Sequence, residues 1–405
     1  MKYILGIDQG TSGTRAMIIG KNSKVIGNAY CEIKQSYPKA GWVEQNPKEI
    51  WNSTLQVIKE ALINAGLEFK QLAGIGIANQ RETTTFWNKY TGEPIGNSIG
   101  WQDRRTIEIV EKMNKKAGSI IIEKTGMALL PNVSASKINW LLDNDFLIKN
   151  GVMKNELIYG TIDTWLLWNL SGGKVHVSDY SNTSVTTLLN AKNLKYENDI
   201  LDMLNIPTVI LPDLKDSSEI YGYTDSKIFG AAVPIAGIAG DQQAAVLGQA
   251  CIKEGMAKNT YGTGSFMIIN TGNNHIIPVE GFFSPILWKI KEEVCYGLEG
   301  MSDISGASMQ WLKNELGINK SNAEFESMAK SLKNNGGVYF VPAFVGLGSP
   351  YFDSYARGTI SGLDLLTTEK HIVRAAIESM AFQVKDSLDI MEKAWGNKLK
   401  VLRVD

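Results

Sequence analysis

The alternation of apolar and polar positions predicts a β-hairpin at the start of the chain. Ile4-Leu5-Gly6-Ile7 leads to Asp8, a polar turn follows over Gln9-Gly10-Thr11-Ser12-Gly13-Thr14-Arg15, and Ala16-Met17-Ile18-Ile19 leads away. A turn at residues 20–23 and a strand at 24–29 extend it into a meander. Asn46 as cap, Pro47 at the first helical position and Glu49 in the first turn open a helix. Ile50, Trp51, Leu55, Ile58, Ala61, Leu62 and Ala65 share one of its faces, and Gly66 ends it. Residues 72–78 form a short buried strand. Residues 84–88 and 95–101 predict a hairpin around Tyr90-Thr91-Gly92. A helix at 134–143, a strand at 157–160 and a helix at 161–170 follow, with their Trp and Leu residues read as core. Residues 233–240 form a small-residue strand ended by Asp241-Gln242-Gln243. A second hairpin runs through 257–270, with Gly262-Thr263-Gly264-Ser265 at its tip. Helices are predicted at 304–316, 323–332 and 368–394, and strands at 338–342 and 399–404.

A chain of 405 residues exceeds one ordinary core, so two domains are expected, 1–248 and 249–405. A net charge of −1 and the lack of any Lys/Arg run argue against nucleic acid or an anionic membrane as partner. Cys31, Cys251 and Cys295 form no C-x-x-C pair, and the three histidines are scattered, so neither a disulfide framework nor a histidine-rich metal site is expected. With no signal-like leader and no apolar run of membrane-spanning length, a reducing cytoplasm is the expected location.

The hairpin tip carries the first candidate chemistry. Gly10 and Gly13 are expected to supply positive φ and close approach to a ligand. Backbone N–H groups, with the hydroxyls of Thr11, Ser12 and Thr14, suit an anion. Asp8 would serve a phosphate through Mg²⁺, and Arg15 could reach the phosphate itself. The Walker A pattern is absent. The second tip, at Thr263, repeats strand, Gly/Thr/Ser turn, strand, and two such tips could hold a nucleotide's phosphate chain. At the carboxyl end of strand 72–78, where α/β sheets bind ligands, Arg81 and Glu82 offer a donor and an acceptor to a polyhydroxylated substrate. They fit a surface ion pair as well. Asp241 fits either a general base for a hydroxyl or a helix cap. Asp179 is placed within reach of a cleft.

The first hairpin resembles the first phosphate loop of the actin-like ATPase and sugar kinase superfamily. Longer stretches resemble the FGGY carbohydrate kinase family, in its glycerol-phosphorylating branch. They are Asp8–Thr11, Gly41–Gln45, Asn79–Thr84, Trp101–Arg105, Gly160–Trp165, Gly240–Ala244, Glu254–Gly264 and Pro350–Gly358. The resemblance implies an α/β, two-domain actin-like ATPase (ribonuclease H-like) fold, with a polyol-binding first domain and a nucleotide-binding second one. Arg81, Glu82, Asp241, Gln242 and Phe266 would hold the polyol, with Asp241 as base. Thr11, Ser12, Gly13, Arg15, Thr263, Gly306 and Gln310 would line the phosphates of ATP, and Asp8 would meet Mg²⁺. Glycerol would become glycerol 3-phosphate. Family members are often dimers or tetramers, so a homo-oligomer is expected by analogy alone.

Two departures stand out. The family usually has Pro-Tyr-Phe, with a polyol-contacting Tyr, where this chain has Pro131-Asn132-Val133. The chain also stops at Asp405, where the family continues into a Gly-Gly-Ala loop that holds adenosine. The second domain is therefore expected to be incomplete, with an unpaired edge at 399–404 and weakened nucleotide binding. A non-catalytic remnant, or a kinase for another polyol or sugar, are the alternatives.

Overall fold

The computed structural model describes residues 3–353 and 355–405; Ser354, inside the Pro350–Gly358 motif, lies outside the described residues, as do Met1 and Lys2. The chain divides into two units, 1–245 with 285–295, and 246–284 with 296–405.

In the first unit, β1 (Tyr3–Gln9) and β2 (Gly13–Ile19) pair antiparallel with Asp8 opposite Arg15, and β3 (Val25–Glu32) pairs with β2. β4 (Glu44–Gln45) leads into α1 (Pro47–Ala65). Asn46 accepts the Lys48 N–H at 2.9 Å, and Gly66 takes φ 64° to close the helix onto Ile63 and Leu62. Ile50, Val57, Ile58, Ala61 and Leu62 are the buried face of α1 and join the core with Leu5, Ile7 and Ile18 of the sheet. β5 (Leu72–Asn79) runs parallel to β1.

β6 (Thr85–Asn88) and β7 (Ser98–Ile99) belong to the expected hairpin, whose arms are antiparallel through the Thr84–Ile99 and Trp87–Pro94 bridges and whose turn is closed by the Gly92 N–H on the Asn88 carbonyl at 2.8 Å. The Thr85 and Ser98 hydroxyls also meet across it at 2.7 Å, and each strand has a further partner from elsewhere in the chain. β7 pairs with β4, and β6 pairs with β8 (Leu157–Gly160). Local alternation cannot report pairing across some seventy residues. Between them come α2 (Ile107–Thr125), α3 (Ser134–Asn144) and α4 (Phe146–Met153). These pack a second core with Ile121, Leu129, Ile138 and Leu157.

After β8, α5 (Ile162–Leu170) buries Trp165 and Leu166 against the first core. β9 (Val177–Asp179), α6 (Tyr180–Ser184), α7 (Asn198–Met203), β10 (Asp213–Lys215), β11 (Gly222–Tyr223) and α8 (Ser226–Phe229) follow. β12 (Pro234–Gly240) then joins β5 in parallel. The sheet order is β11-β12-β5-β1-β2-β3. The parallel strands β1, β5 and β12 therefore end side by side, at Gln9, Asn79 and Gly240. α9 (Asp241–Gly248) begins at the last of these ends, and the division between units falls within it.

In the second unit, β13 (Met256–Tyr261) and β14 (Ser265–Gly272) form the second antiparallel hairpin. The chain passes through β15 (Ile286–Ile290), which groups with the first unit, and returns along β16 (Glu293–Ser302) to pair with β14. α10 (Gly306–Asn314), α11 (Asn322–Lys330), the pair β17 (Tyr339–Val341) and β18 (Thr359–Ser361), and the long α12 (Glu369–Trp395) follow. β19 (Val401–Val404) runs parallel to β13 at the sheet's edge, and all four of its residues are exposed. Its neighbour β13 sits over a core of Met267, Ile269, Leu298, Met391 and Trp395.

Candidate functional site

The first tip is built on the pairing of β1 with β2. Neither Gly10 nor Gly13 has positive φ, which corrects the expectation of left-handed turns there. Gly13 is small for another reason. A Cβ on it would lie 2.5 Å from the Tyr30 hydroxyl and 2.7 Å from the Cys31 carbonyl, so β3 allows no side chain at that point. Gly10 donates to the Gly13 carbonyl at 2.9 Å and closes the tip. Among the described residues, the N–H groups of Thr11 and Ser12 meet no acceptor. Ser12 is exposed, and so is Arg15, whose guanidinium lies 5.4 Å from the Tyr30 ring centre.

Beneath the tip lies a buried amide network. Gln80 Nε2 donates to Gln9 Oε1 at 3.0 Å and to Gln45 Oε1 at 2.9 Å. Gln45 Nε2 donates to the Thr11 carbonyl at 2.7 Å, and Gln9 Nε2 to the Gly10 carbonyl at 2.8 Å. From above, Trp101 Nε1 donates to Thr11 Oγ1 at 2.8 Å. An indole N–H only donates. The Thr11 hydroxyl must accept there, and its own proton is left to donate to a ligand.

Around the end of β5, the chain turns sharply. Glu82 takes φ 69°, and the Thr83 N–H donates back to the Arg81 carbonyl at 2.8 Å, closing a three-residue γ-turn. This strained turn presents Arg81 and Glu82 on successive residues. Arg81 Nε lies 3.4 Å from Asp241 Oδ1, and its Nη1 donates to Gln243 Oε1 at 3.4 Å. Asp241 Oδ1 also accepts the adjacent Gln242 N–H at 2.8 Å, a contact that reaches only the next residue and is no ordinary N-cap. The Asp241 side chain is 38% exposed, against 10% for Arg81. Glu82 is buried, with its Oε2 accepting from Asn132 Nδ2 at 2.7 Å. The structure thus gathers Arg81, Glu82, Asp241 and Asn132, and places Gln242 beside Asp241.

Asp8, at the end of β1, is open to solvent. The protein around it, and then the Asp241 carboxylate, raise its pKa, while Arg15 opposes them. Two carboxylates that repel each other in this way suit a divalent cation. Mg²⁺ commonly takes one or two carboxylates and completes its shell with substrate phosphates and water.

Asp179 is not at a cleft. It is fully buried at the start of α6, accepting the Ser181 and Asn182 N–H groups, each at 2.9 Å, and the Ser217 hydroxyl. Burial raises its pKa against those bonds.

In the second unit, the tip 262–264 packs on the start of α10. The Ser305, Gly306 and Ala307 N–H groups donate to carbonyls of Thr263, Gly262 and Thr263 at 2.8, 2.9 and 3.1 Å. A Cβ on Gly306 would lie 2.7 Å from the Gly262 carbonyl, so the two backbones meet only because this residue is glycine. The Gly306 amide is thereby occupied. Thr263 is exposed at the tip, and Phe266 is half-buried on β14. Gln310 lies one turn along α10, donates to Asn314 at 2.8 Å, and faces a cavity of about 530 Å³. Met309, Phe325, Ala329 and Ile377 give that cavity apolar walls.

Gln9, Gln45, Gln80, Gln243 and Trp101 were quoted above only as parts of motifs; what sequence reading missed was their burial and partners. The same holds for Gly41–Gln45 and Trp101–Arg105. Arg105 pairs with Glu44 and Asp103, each at 2.8 Å, and its guanidinium lies 3.6 Å from the Trp42 ring centre. These motifs lock the scaffold under the tip.

Comparison with known proteins matches residues 3–248 to the N-terminal domain, and residues 257–405 to the C-terminal domain, of the FGGY family of carbohydrate kinases. Glycerol kinase of Borreliella afzelii is 53% identical over 407 residues, covering 100% of this chain and 81% of that protein. Glycerol kinase 2 of Thermotoga maritima is 48% identical over 406 residues, covering 100% and 82%. The crystal structure of Plasmodium falciparum glycerol kinase with ADP is 34% identical and superposes with a TM-score of 0.95, covering 100% of this chain and 81% of that one. A ligand-bound xylulose kinase from Lactobacillus acidophilus, 22% identical at a TM-score of 0.87 over 100% of this chain and 81% of its own, shares the fold. With both family domains matched in order along its length, the chain belongs to the FGGY family of carbohydrate kinases.

Proposed function

We propose that the chain transfers the γ-phosphoryl group of ATP to glycerol, giving glycerol 3-phosphate and ADP. The observation that carries this reading is the cluster at the ends of β5 and β12. An exposed carboxylate, Asp241, stands 3.4 Å from a mostly buried guanidinium, with Glu82 on the neighbouring residue. Adjacent diol hydroxyls need both donors and acceptors, and Arg81, Gln242 and Glu82 supply them. The glycerol kinases at 48–53% identity support the choice of substrate.

Asp241 Oδ1 is engaged by Arg81 and the Gln242 N–H, while Oδ2, which accepts only a long 3.4 Å bond from Gln242 Nε2, takes the proton of the attacking hydroxyl. The hydroxyl oxygen bonds to the γ-phosphorus as the bond to the β-phosphate oxygen breaks and ADP leaves. Thr11 and Ser12 donate N–H and O–H groups to phosphate oxygens, and Arg15 adds positive charge. Thr263, on the tip of the second unit, offers an exposed hydroxyl of the same kind to a phosphate. The apolar cavity beside Gln310 suits the nucleotide's base, which moves Gln310 from the phosphates to the base or ribose. Mg²⁺, held by Asp8 with help from Asp241, would neutralise charge on the phosphates.

A second reading, a kinase for a different polyol, is favoured by one contact: Asn132 occupies Glu82 Oε2 with an amide. Incubation with ATP, Mg²⁺ and a panel of polyols, followed by ³¹P NMR, tests both. Glycerol 3-phosphate as the main product supports the first reading. Faster turnover of another polyol supports the second, and no polyol-dependent ADP release contradicts both.

A further inference from the structure

A charged side chain lies with no exposed surface directly behind the polyol cluster. Lys137 of α3 is 0% exposed. Burial lowers its pKa to about 7, opposed by Glu82 and then Asp103, while Arg105 adds to the lowering. Packing alone would be met by an uncharged chain of similar length without that desolvation cost.

Its hydrogen bonds have a common destination. Nζ donates to the Asn132 carbonyl at 2.5 Å and to the Glu82 carbonyl at 3.3 Å. Asn132 in turn donates its side-chain amide to the Glu82 carboxylate at 2.7 Å. Ser134, one helical turn before Lys137, donates its hydroxyl to the same Glu82 carbonyl at 2.9 Å. Glu82 is the residue with φ 69°, a conformation that persists in a side-chain-bearing residue only where its surroundings impose it. The start of α3 imposes it from behind, at the carbonyl, and the preceding segment fixes the carboxylate in front.

We propose that Lys137 is a positioning residue for polyol binding: by gripping the main-chain carbonyls of Glu82 and Asn132, it holds the Glu82 carboxylate in the direction that receives the substrate's hydroxyls. Lys137 itself touches no substrate. The role rests on the reading of Glu82 as a polyol ligand given above.

Steady-state kinetics of Lys137→Met tests it, with glycerol and ATP varied separately. The expected result is a glycerol KM raised about tenfold or more, the effect of losing a charge-assisted hydrogen bond that holds a substrate ligand. The ATP KM stays within about twofold of the parent's, because the tip at Thr11 is held by separate residues. A glycerol KM that does not move, or glycerol and ATP KM values that rise together, overturns the role. Should Lys137→Met fail to fold, Ser134→Ala takes its place, since it removes the other donor to the same carbonyl. A rise of about threefold in glycerol KM alone then supports the proposal, and no rise overturns it. A parent chain without glycerol-dependent turnover overturns the reading of the site along with the role. An active parent with an unmoved variant overturns the role alone.

Discussion

Single residues carry the site through hydrogen bonds that no spacing rule displays. Gln80 is the clearest case, since its amide joins β1, β4 and the γ-turn at Glu82, and its own oxygen accepts from Thr83 at 3.1 Å. Gln80→Ala strands the side-chain oxygens of Gln9 and Gln45 away from water, at a cost of about 1–3 kcal/mol. A lowered thermal midpoint together with a raised ATP KM is expected, and differential scanning fluorimetry plus kinetics checks it. Asp163 makes a different prediction. Burial pushes its carboxyl up to about 6, against hydroxyls from Ser178 and Thr161 at 2.6 and 2.5 Å. A carboxyl raised on folding binds a proton that the unfolded chain has already released, so its contribution to stability falls as pH rises through roughly 4 to 6. Asp163→Asn has no such dependence. Urea midpoints at pH 4.5 and 7 should show the parent losing ground to the variant as pH rises. An equal gap at both values would refute the buried-carboxylate account. Residue identities in both cases were readable, whereas their partners, some seventy positions apart for Gln80 and Gln9, were not.

Elements were legible where their signals were local. Asn46, Pro47 and Gly66 marked both ends of α1, and the two hairpin tips announced themselves by Gly, Thr and Ser between apolar runs. The further pairing of β6 with β8 was not legible, because the two strands are some seventy residues apart in the chain. Nor was the cap role of Asp179, since a polar stretch reads alike in a cleft and at a buried helix start. Asn46→Ala should cost α1 about 1 kcal/mol through loss of the bond to Lys48. Chemical denaturation measures that loss, and no change would mean the helix end is held by tertiary packing alone.

At the scale of the whole molecule, each unit has its own buried cores and its own Gly/Thr/Ser hairpin tip. The fold class followed from the sequence because motifs recur from one end of the chain to the other. The return of 285–295 to the first unit did not, as no motif falls there. In hydrogen exchange, glycerol alone should protect residues 79–84 and 131–137, and ADP alone the tip at 10–15 together with 262–266 and 304–314. Protection by glycerol confined to the second set would reverse the assignment of the two sites. The claim on which all of this turns is that Asp241 takes a proton from glycerol. The most direct measurement is the kcat for glycerol-dependent ADP release by Asp241→Asn beside the parent chain. A loss of about 10²–10⁴-fold, the usual contribution of a general base, is predicted, with ATP binding retained. An Asp241→Asn chain that turns over glycerol at the parent's rate would contradict it.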